Sequence, residues 1–341
     1  MVIPHPPAVP VIDLAKLNAG EEGKKEVVAE LLSALRNIGF FSVINHSVPL
    51  PLVDQLFKTD VETKRRIPYV EATNTGYLGH GQEKIWIAHV VYRRLNFKEK
   101  ALDCKEAYNM PACPEAESLI PPELARNGIA KSFMESCHAT LHQLLELLAV
   151  ALDIPAEEGG ETYLSSKHSF GGTPSILRLL HYPPVAGDSA ESGSWTRAGG
   201  HTDYGSLTLL FQSGVGGLEA LLRVDPTAEP VWVPVPPVAG AIVVNSGDLL
   251  EFWTRGAVKS TVHRVVVPQE VRGVSRYSLV YFAQPIGSTP LTPIPSPLLR
   301  ELADAAASSA AVAGFSTAGD VAKSISASQH LWERLSHTQT Y

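Results

Sequence analysis

The sequence predicts an α+β fold with a mainly-β core flanked by helices, and three features of its pattern indicate this class. From about residue 172 to 283, short apolar runs alternate with Gly, Pro, Asn and Asp, which is typical of an antiparallel sandwich or barrel. Before residue 155 and again after 326, apolar residues instead recur at helical spacing. No internal repeat interrupts this order, so the chain reads as one large unit.

The N-terminal part alternates between strand-like and helix-like patterns. The predicted elements are a strand at 9–14, a helix at 27–38, a buried strand at 40–44 and a single amphipathic helix at 51–66. Gly39 supplies the stop signal of the first helix. Residues 67–100 are irregular and aromatic, so they form either a surface loop or a lid over a pocket.

The second half is predicted from a leucine stripe and a series of short apolar runs. Leucines at 141–152 indicate a long helix that Pro155 ends. The predicted strands are 175–182, 205–211, 231–235, 240–244, 262–267 and 276–283. The predicted connections are a loop at 185–200, a turn between strands at 245–248 and a loose connector at 305–318, before a last helix at 326–335.

Composition excludes several classes of function. The formal net charge of −7 over 341 residues argues against nucleic acid, which requires a basic surface. Three cysteines are too few for a disulfide framework or a zinc cluster. No signal peptide and no membrane span is visible. We therefore expect a cytoplasmic protein whose partner is a small-molecule substrate, and a monomer is compatible with this expectation.

Two histidines and one aspartate form a candidate metal site. His201, Asp203 and His263 supply the two imidazoles and one carboxylate that hold non-haem Fe(II) and leave positions open. In a pleated strand, His201 and Asp203 would project to the same face. The same ligands would bind zinc, and a His-x-Asp pattern among twelve histidines can also be accidental.

An arginine and a serine two residues apart indicate an anion site. Arg276 and Ser278 would share one face of the last predicted strand. A guanidinium binds a carboxylate through two parallel hydrogen bonds, and the hydroxyl can add a third. An arginine on the inward face of a barrel is unfavourable unless it meets an anion. A surface ion pair is the alternative, but beside a metal triad the anion site is favoured.

A series of short motifs occurs in a fixed order along most of the chain. They lie at 9–14, 39–41, 45–46, 103–106, 177–178, 182–184, 201–203, 216–218, 245–248, 259–260, 263–265 and 276–278. Together they resemble the isopenicillin N synthase-like branch of the Fe(II)/2-oxoglutarate-dependent oxygenases. The resemblance implies a distorted double-stranded β-helix, or jelly roll, flanked by helices. It implies an N-terminal dioxygenase region at 9–115, a jelly-roll core at 172–290 and helical support at 116–171 and 291–341, all in one compact unit.

The resemblance also implies roles for individual residues. His201, Asp203 and His263 would be the catalytic metal ligands of Fe(II). Arg276 and Ser278 would bind the distal carboxylate of the cosubstrate 2-oxoglutarate.

One position departs from the motif of many plant relatives. Tyr182 matches a family tyrosine that contacts 2-oxoglutarate, but Leu180 stands where those relatives have the asparagine of Asn-Tyr-Tyr-Pro. A polar contact to the cosubstrate is therefore absent, and its binding is expected to differ in detail.

Candidates for the substrate pocket follow from strand alternation and from the aromatic segments. They are Val280 and Phe282 on the Arg276 face, Arg178 and Leu180 on the Tyr182 face, and Tyr77, Trp86 and Trp195 as parts of a lid. For each aromatic residue, ordinary core packing is an equal alternative.

The resemblance implies a dioxygenase that uses Fe(II), O2 and 2-oxoglutarate to oxidise an unactivated C–H bond of a small molecule, and it releases succinate and CO2. The expected substrate class is secondary metabolites. Hydroxylation is the default outcome, with desaturation or ring rearrangement on the same scaffold. Three alternatives stay open: a 2-oxoglutarate-independent iron oxidase of the same family, an inactive small-molecule binding protein and, less favoured, a zinc hydrolase.

Overall fold

Two β-sheets form the centre of the protein, and helices cover the outer face of the larger one. The structure is a computed structural model that describes residues 8–79, 105–112, 119–184, 195–223, 229–268, 271, 273–309 and 325–339. The strands are β1 (Val11–Asp13), β2 (Phe40–Ile44), β3 (Gly76–Leu78), β4 (Glu106–Pro111), β5 (Ile176–Tyr182), β6 (Trp195–His201), β7 (Leu207–Gln212), β8 (Leu218–Leu222), β9 (Val231–Pro234), β10 (Ile242–Ser246), β11 (His263–Val267) and β12 (Arg276–Phe282).

The helices lie mainly in the first half and at the end of the chain. They are α1 (Glu21–Asn37), α2 (Leu50–Phe57), α3 (Val61–Arg65), α4 (Pro122–Arg126), α5 (Ile129–Ala151), α6 (Asp248–Trp253), α7 (Pro297–Ser309) and α8 (Ala327–Gln339). Of the helices in the described ranges, none combines the length and the apolar composition that crossing a bilayer requires.

The strand order is that of a jelly roll. Across the described residues, the larger sheet has the order β1-β2-β10-β7-β12-β5-β4-β3, and the smaller sheet has the order β6-β11-β8-β9. The β1–β2 pair is parallel, whereas pairs such as β10–β7, β12–β5 and β11–β6 are antiparallel. Strands distant in sequence are thus neighbours in both sheets, and the predicted fold is confirmed.

The larger sheet separates two apolar cores. In β12, Leu279 and Tyr281 belong to an outer core shared with the helices, whereas Val280 belongs to an inner core between the sheets. This is the period-two alternation of a strand that is buried on both faces. The smaller sheet contributes Ala198 and Val265 to the same inner core.

The predicted helical stripe and the first stop signal are both confirmed. Leu141, Leu144 and Leu148 are buried on one side of α5, where they belong to the outer core. Gly39 has a φ of 75°, and a Cβ there would lie 2.3 Å from the carbonyl oxygen of Lys259. Only glycine fits this close approach between the end of α1 and the segment before β11.

The single helix predicted at 51–66 is wrong, because two helices occupy this stretch. The side chain of Asp60 accepts hydrogen bonds from the backbone N–H of Thr63 at 2.7 Å and from its hydroxyl at 3.0 Å. Asp60 is therefore the N-cap of α3, and it separates this helix from α2.

Two other predictions of the sequence need correction, and three further strands were not predicted. Residues 195–200 belong to strand β6 and pair with β11, so they are not a loop, while 185–194 lie outside the described residues. Residues 305–309 continue helix α7, so the first part of the predicted connector is helical, while 310–318 also lie outside the described residues. Strands β3, β4 and β8 were not predicted. The last predicted helix is confirmed as α8.

Candidate active site

His201, Asp203 and His263 converge at one end of the smaller sheet. His201 ends β6, His263 begins β11, and the two are direct cross-strand partners. Their Nε2 atoms lie 4.0 Å and 3.7 Å from Oδ1 of Asp203, and one donor atom from each residue lies within 4.8 Å of the others. Donors at about 2.1 Å from one ion are roughly 3–4 Å apart. The three side chains are thus close to the spacing of a mononuclear metal site.

The environment of both imidazoles leaves Nε2 free to bind a metal. Nδ1 of His201 lies 2.8 Å from the carbonyl oxygen of Gly199, and Nδ1 of His263 lies 3.1 Å from that of Thr261. A carbonyl oxygen can only accept, so each Nδ1 carries the proton and each Nε2 keeps its lone pair. Burial and the neighbouring His263 lower the pKa of His201 to about 4, so this imidazole is neutral at pH 7.

Two side chains hold the carboxylate of Asp203 from behind. The hydroxyl of Thr208 and the side-chain amide of Asn245 each donate a hydrogen bond to Oδ2 at 2.7 Å, which leaves Oδ1 facing the imidazoles. Burial acts to raise the pKa of Asp203, but the two histidines and these hydrogen bonds outweigh it and lower the pKa. Asp203 is therefore an ionised ligand candidate.

The sequence missed the position of Asn245. The prediction of a turn between strands at 245–248 is wrong, because Asn245 and Ser246 end β10 and helix α6 begins at Asp248. One signal in the sequence could have indicated its role. Asn245 belongs to the same ordered set of motifs as His201, Asp203 and His263.

The turn after β6 brings Asp203 to the histidines. His201 is the last residue of the strand and Asp203 lies beyond it, so strand alternation does not account for their convergence as predicted. The backbone N–H of Asp248 donates to the carbonyl oxygen of Asp203 at 2.7 Å and anchors this turn. The side chain of His201 is 28% exposed, against 5% for Asp203 and 9% for His263, so the site opens on the His201 side.

Arg276 is a fully buried cation whose hydrogen bonds go to neutral groups. It is 1% exposed, and it is the cross-strand partner of Tyr182, with its guanidinium carbon 5.1 Å from the tyrosine ring centroid. Its Nη2 donates to Oε1 of Gln212 at 3.1 Å and its Nη1 donates to Oγ of Ser278 at 3.4 Å. Among the described residues, no carboxylate pairs with Arg276 and its Nε has no hydrogen-bond partner. Burial lowers its pKa, but an arginine side chain stays protonated in proteins.

Arg276 and Ser278 alternate with Leu279 and Tyr281, so they lie on the inner face of the larger sheet, as Val280 does. An uncompensated buried charge is strongly unfavourable. A carboxylate ligand between the sheets would compensate it, so the arrangement fits an acidic cosubstrate.

Several predicted pocket residues do lie at the inner core. Leu180 and Val280 belong to it, and Phe282 packs against it. Arg178 donates from Nε to Oδ1 of Asn109 at 2.7 Å, with its guanidinium carbon 5.8 Å from the ring centroid of Phe282. The inner face of the larger sheet therefore presents an apolar wall with one basic edge.

The aromatic lid candidates are not brought together there. Tyr77 packs against the outer core, and its hydroxyl donates to Oε2 of Glu106 at 3.0 Å, while the adjacent Leu78 joins the inner core. The pocket role predicted for Tyr77 is therefore not supported by its placement. Trp195 begins strand β6, but its side chain lies outside the described part of the structure, as does the whole of Trp86.

The donor set fits iron. Two imidazoles and one carboxylate suit a borderline divalent first-row metal, and no thiolate is present at the three positions to favour a softer ion.

Both halves of the chain match known families. Residues 173–285 match the 2OG-Fe(II) oxygenase superfamily, and residues 9–128 match the family described as non-haem dioxygenase in morphine synthesis N-terminal. The first of these ranges contains His201, Asp203, His263 and Arg276.

Similar proteins are found among fungal enzymes and solved structures. The 2-oxoglutarate-dependent dioxygenase frbA of Dothideomycetidae sp. is 32% identical, over 82% of this chain and 86% of that protein. The proline hydroxylase buaE of Petromyces alliaceus is 32% identical, over 79% of this chain and 84% of that protein. A crystal structure of a full-length Neurospora crassa protein in complex with alpha-KG superposes with a TM-score of 0.74 at 28% identity, covering 96% of each chain. The chain therefore belongs to the 2OG-Fe(II) oxygenase superfamily, as a non-haem dioxygenase that uses Fe(II), 2-oxoglutarate and O2.

Proposed function

We propose that this dioxygenase hydroxylates an unactivated C–H bond of a small-molecule, secondary-metabolite substrate, with succinate and CO2 as the coproducts. The observation that carries the proposal is the buried Arg276, which has only neutral partners among the described residues. Its neighbour Tyr182 belongs to the same inner core as Phe40, whose ring packs against His263. Two similar proteins support a small substrate: one is named a proline hydroxylase, and the Neurospora crassa protein has also been solved with alpha-KG and thymine, at 26% identity and a TM-score of 0.73.

In this proposal His201, His263 and Asp203 hold the iron. The Nε2 atoms, which keep their lone pairs because each Nδ1 faces a carbonyl oxygen, and Oδ1 of the ionised Asp203 are the donor atoms. Bound there, Fe(II) would supply the O2-activating chemistry of the family. The protein itself fixes the donor positions through Thr208 and Asn245, which grip the other carboxylate oxygen.

Arg276, Ser278 and Tyr182 bind the distal carboxylate of 2-oxoglutarate. The guanidinium has five N–H donors and uses only part of them on Gln212 and Ser278, so donors are left for a bidentate contact. Tyr182 lies directly across the strand pair from Arg276. Orientation of the cosubstrate by a buried ion pair is a positioning effect, which brings its keto acid end toward the three donors.

The apolar inner face keeps the reaction away from bulk water. Leu180 and Val280 are at most 9% exposed, and Phe282 covers part of the same surface. Leu180 also replaces the asparagine of plant relatives, so 2-oxoglutarate is held without that amide. Desolvation strengthens the charge interaction between Arg276 and its ligand.

A screen for substrate-dependent succinate release tests the proposal. Purified protein with Fe(II) and 2-oxoglutarate is incubated with a panel that includes proline, other amino acids, thymine and peptide-derived metabolites. We expect one class to stimulate succinate formation and to gain one oxygen atom by mass spectrometry. His201→Ala should abolish turnover, and Arg276→Ala should raise the KM for 2-oxoglutarate at least tenfold, while Arg300→Ala, at an exposed position, is the matched control.

The same assay separates the alternatives. An Arg276→Ala variant with wild-type affinity for 2-oxoglutarate would show that the cosubstrate site is assigned wrongly. Substrate-dependent O2 uptake that continues without 2-oxoglutarate would favour the oxidase alternative. Substrate conversion with zinc and without O2 would favour a hydrolase, and ligand binding without any turnover would favour a binding protein.

A further inference from the structure

The last helix is tied to the segment that follows β12 and then packs beside α6. The backbone N–H of Ala327 donates to the carbonyl oxygen of Thr289 at 2.9 Å, and a β-bridge joins Ser326 to Pro290. Further along α8, the ring of His330 lies 5.4 Å from that of Phe252. The helix is therefore docked against the element that follows Asn245.

From this position α8 reaches the turn between the metal ligand candidates. Nη2 of Arg334 forms an ion pair with Oδ2 of Asp248 and lies 3.4 Å from Oγ1 of Thr202. Thr202 stands between His201 and Asp203, and its hydroxyl donates to the same Oδ2 of Asp248 at 3.1 Å. The guanidinium of Arg334, the carboxylate of Asp248 and the hydroxyl of Thr202 thus contact one another pairwise. They lie beside the ligand turn, which is defined here as residues 201–203.

The backbone at the start of α6 completes this contact. Besides the hydrogen bond from Asp248 to Asp203, the N–H of Gly247 donates to the carbonyl oxygen of Ser206 at 2.9 Å, and the N–H of Leu249 donates to that of Tyr204 at 3.3 Å. Consecutive amides of one helix end therefore hold the chain just after the metal ligands. Any shift of Asp248 moves the backbone of Asp203.

Asp248 depends on Arg334 for charge compensation. Its side chain is 12% exposed, and the guanidinium of Arg334 pairs with it. A shielded carboxylate that loses its cation is strongly destabilised, and it would move toward water. This movement would loosen the hydrogen bonds that fix Thr202 and Asp203.

We propose that Arg334 is a positioning residue of the metal site, which acts through Asp248 and Thr202 to align His201 and Asp203. The inference rests on the proposed role of these two residues as metal ligands. It makes α8 a part of the active site, although Arg334 itself is not a metal donor.

Metal binding by the full-length protein tests this role. The probe is Mn(II), which resists oxidation, titrated by calorimetry into wild type, Arg334→Ala, Arg334→Lys and the exposed neighbour Glu333→Ala as control. Arg334→Ala should weaken Mn(II) binding by about tenfold, at the lower end of the range for partners outside the first ligand shell. The Mn(II) affinity of Arg334→Lys should lie between those of wild type and Arg334→Ala. The lysine keeps the charge but loses the planar guanidinium that reaches two acceptors. Glu333→Ala should bind as wild type does.

A second variant covers the case in which Arg334→Ala fails to fold. Thr202→Val removes the bridging hydroxyl and leaves the Arg334–Asp248 ion pair intact, and it should also weaken Mn(II) binding several-fold. Circular dichroism confirms that each variant is folded. A folded Arg334→Ala, or otherwise a folded Thr202→Val, that binds Mn(II) like wild type overturns the inference.

His201→Ala distinguishes this failure from failure of the proposed function. If wild type binds Mn(II), His201→Ala does not and Arg334→Ala does, only the positioning role is refuted. If His201→Ala binds Mn(II) as tightly as wild type, or wild type does not bind it, the ligand assignment is refuted and the role of Arg334 with it.

Discussion

Oε1 of Gln212 accepts a hydrogen bond from Nη2 of Arg276 at 3.1 Å, across the pairing of β7 with β12. This acceptor orients the guanidinium without cancelling its charge, because an amide oxygen is neutral. A carboxylate at the same position would instead form an ion pair with Arg276 and compete with any anionic ligand.

Gln212→Glu is therefore expected to raise the KM for 2-oxoglutarate by tenfold or more, which corresponds to about 1.4 kcal/mol of binding free energy. Gln212→Met, which keeps the length but lacks the acceptor, should raise it less. Succinate release as a function of 2-oxoglutarate concentration gives both values. A Gln212→Glu variant with unchanged KM would contradict the placement of the cosubstrate carboxylate at Arg276.

Asn245 is expected to be needed for metal binding, because it donates to Oδ2 of Asp203 at 2.7 Å in a buried site. Asn245→Ala removes a hydrogen bond to a charged group, and we expect a loss of roughly 1.5–3 kcal/mol in stability and weaker Mn(II) binding. Asn245→Asp is nearly isosteric but places a second carboxylate beside the first, so it should be the more harmful variant. Urea unfolding measures the loss of stability, and Mn(II) titration measures the loss of metal affinity. Equal stability and equal Mn(II) affinity of Asn245→Ala and Asn245→Asp would argue against the hydrogen bond.

Gly247 is expected to tolerate no side chain. A Cβ at this position would lie 2.4 Å from the carbonyl oxygen of Gly205 and 2.9 Å from that of Asp203. Gly247→Ala must displace the ligand turn, so a loss of about 1–3 kcal/mol in stability and a reduced metal affinity are expected. Gly273→Ala is the matched control, because nothing lies within 4 Å of a Cβ there. Thermal unfolding and Mn(II) titration compare the two variants. Equal stability and equal Mn(II) affinity of Gly247→Ala and Gly273→Ala would disprove the close approach.

Glu251 makes stability depend on pH in a predictable direction. Burial, with a contribution from Asp248, raises the pKa of Glu251 from 4.5 to about 7. The folded state thus binds this proton more tightly than the unfolded state, so stability falls as pH rises between about 4.5 and 7.

Glu251→Gln should flatten this dependence and stabilise the protein above pH 7.5 by on the order of 2 kcal/mol. The exposed Glu333→Gln should leave the pH profile unchanged. Urea unfolding between pH 5 and 8.5 gives the comparison, and parallel profiles for wild type and Glu251→Gln would refute the raised pKa.

The metal and anion candidates were predictable because their chemistry demands particular residue types. His263 and Arg276 are unfavourable to bury without a partner, so their positions in predicted apolar strands carried information. His201 was predicted from its spacing to Asp203. The wall residues Leu180 and Val280 followed from period-two alternation once the strands were assigned.

Other features depend on contacts that no local pattern contains. Strand β6 includes Gly199 and Gly200, which have low strand propensity, and only its long-range pairing with β11 makes it a strand. The partnership of Asn245 with Asp203 links positions 42 residues apart. The contact of Arg334 with Asp248 and Thr202 likewise joins the last helix to a distant turn.

The alternation of β12 between two cores also bears on how such an enzyme can change its specificity. Leu279 and Tyr281 pack with the helices in the outer core, whereas Val280 and Phe282 lie at the inner core between the sheets, where we propose the substrate pocket. Mutagenesis libraries confined to the inner-core positions would therefore vary the proposed pocket while leaving the outer-core contacts of the same strand unchanged. This separation offers an evolutionary route by which one scaffold can acquire many substrates.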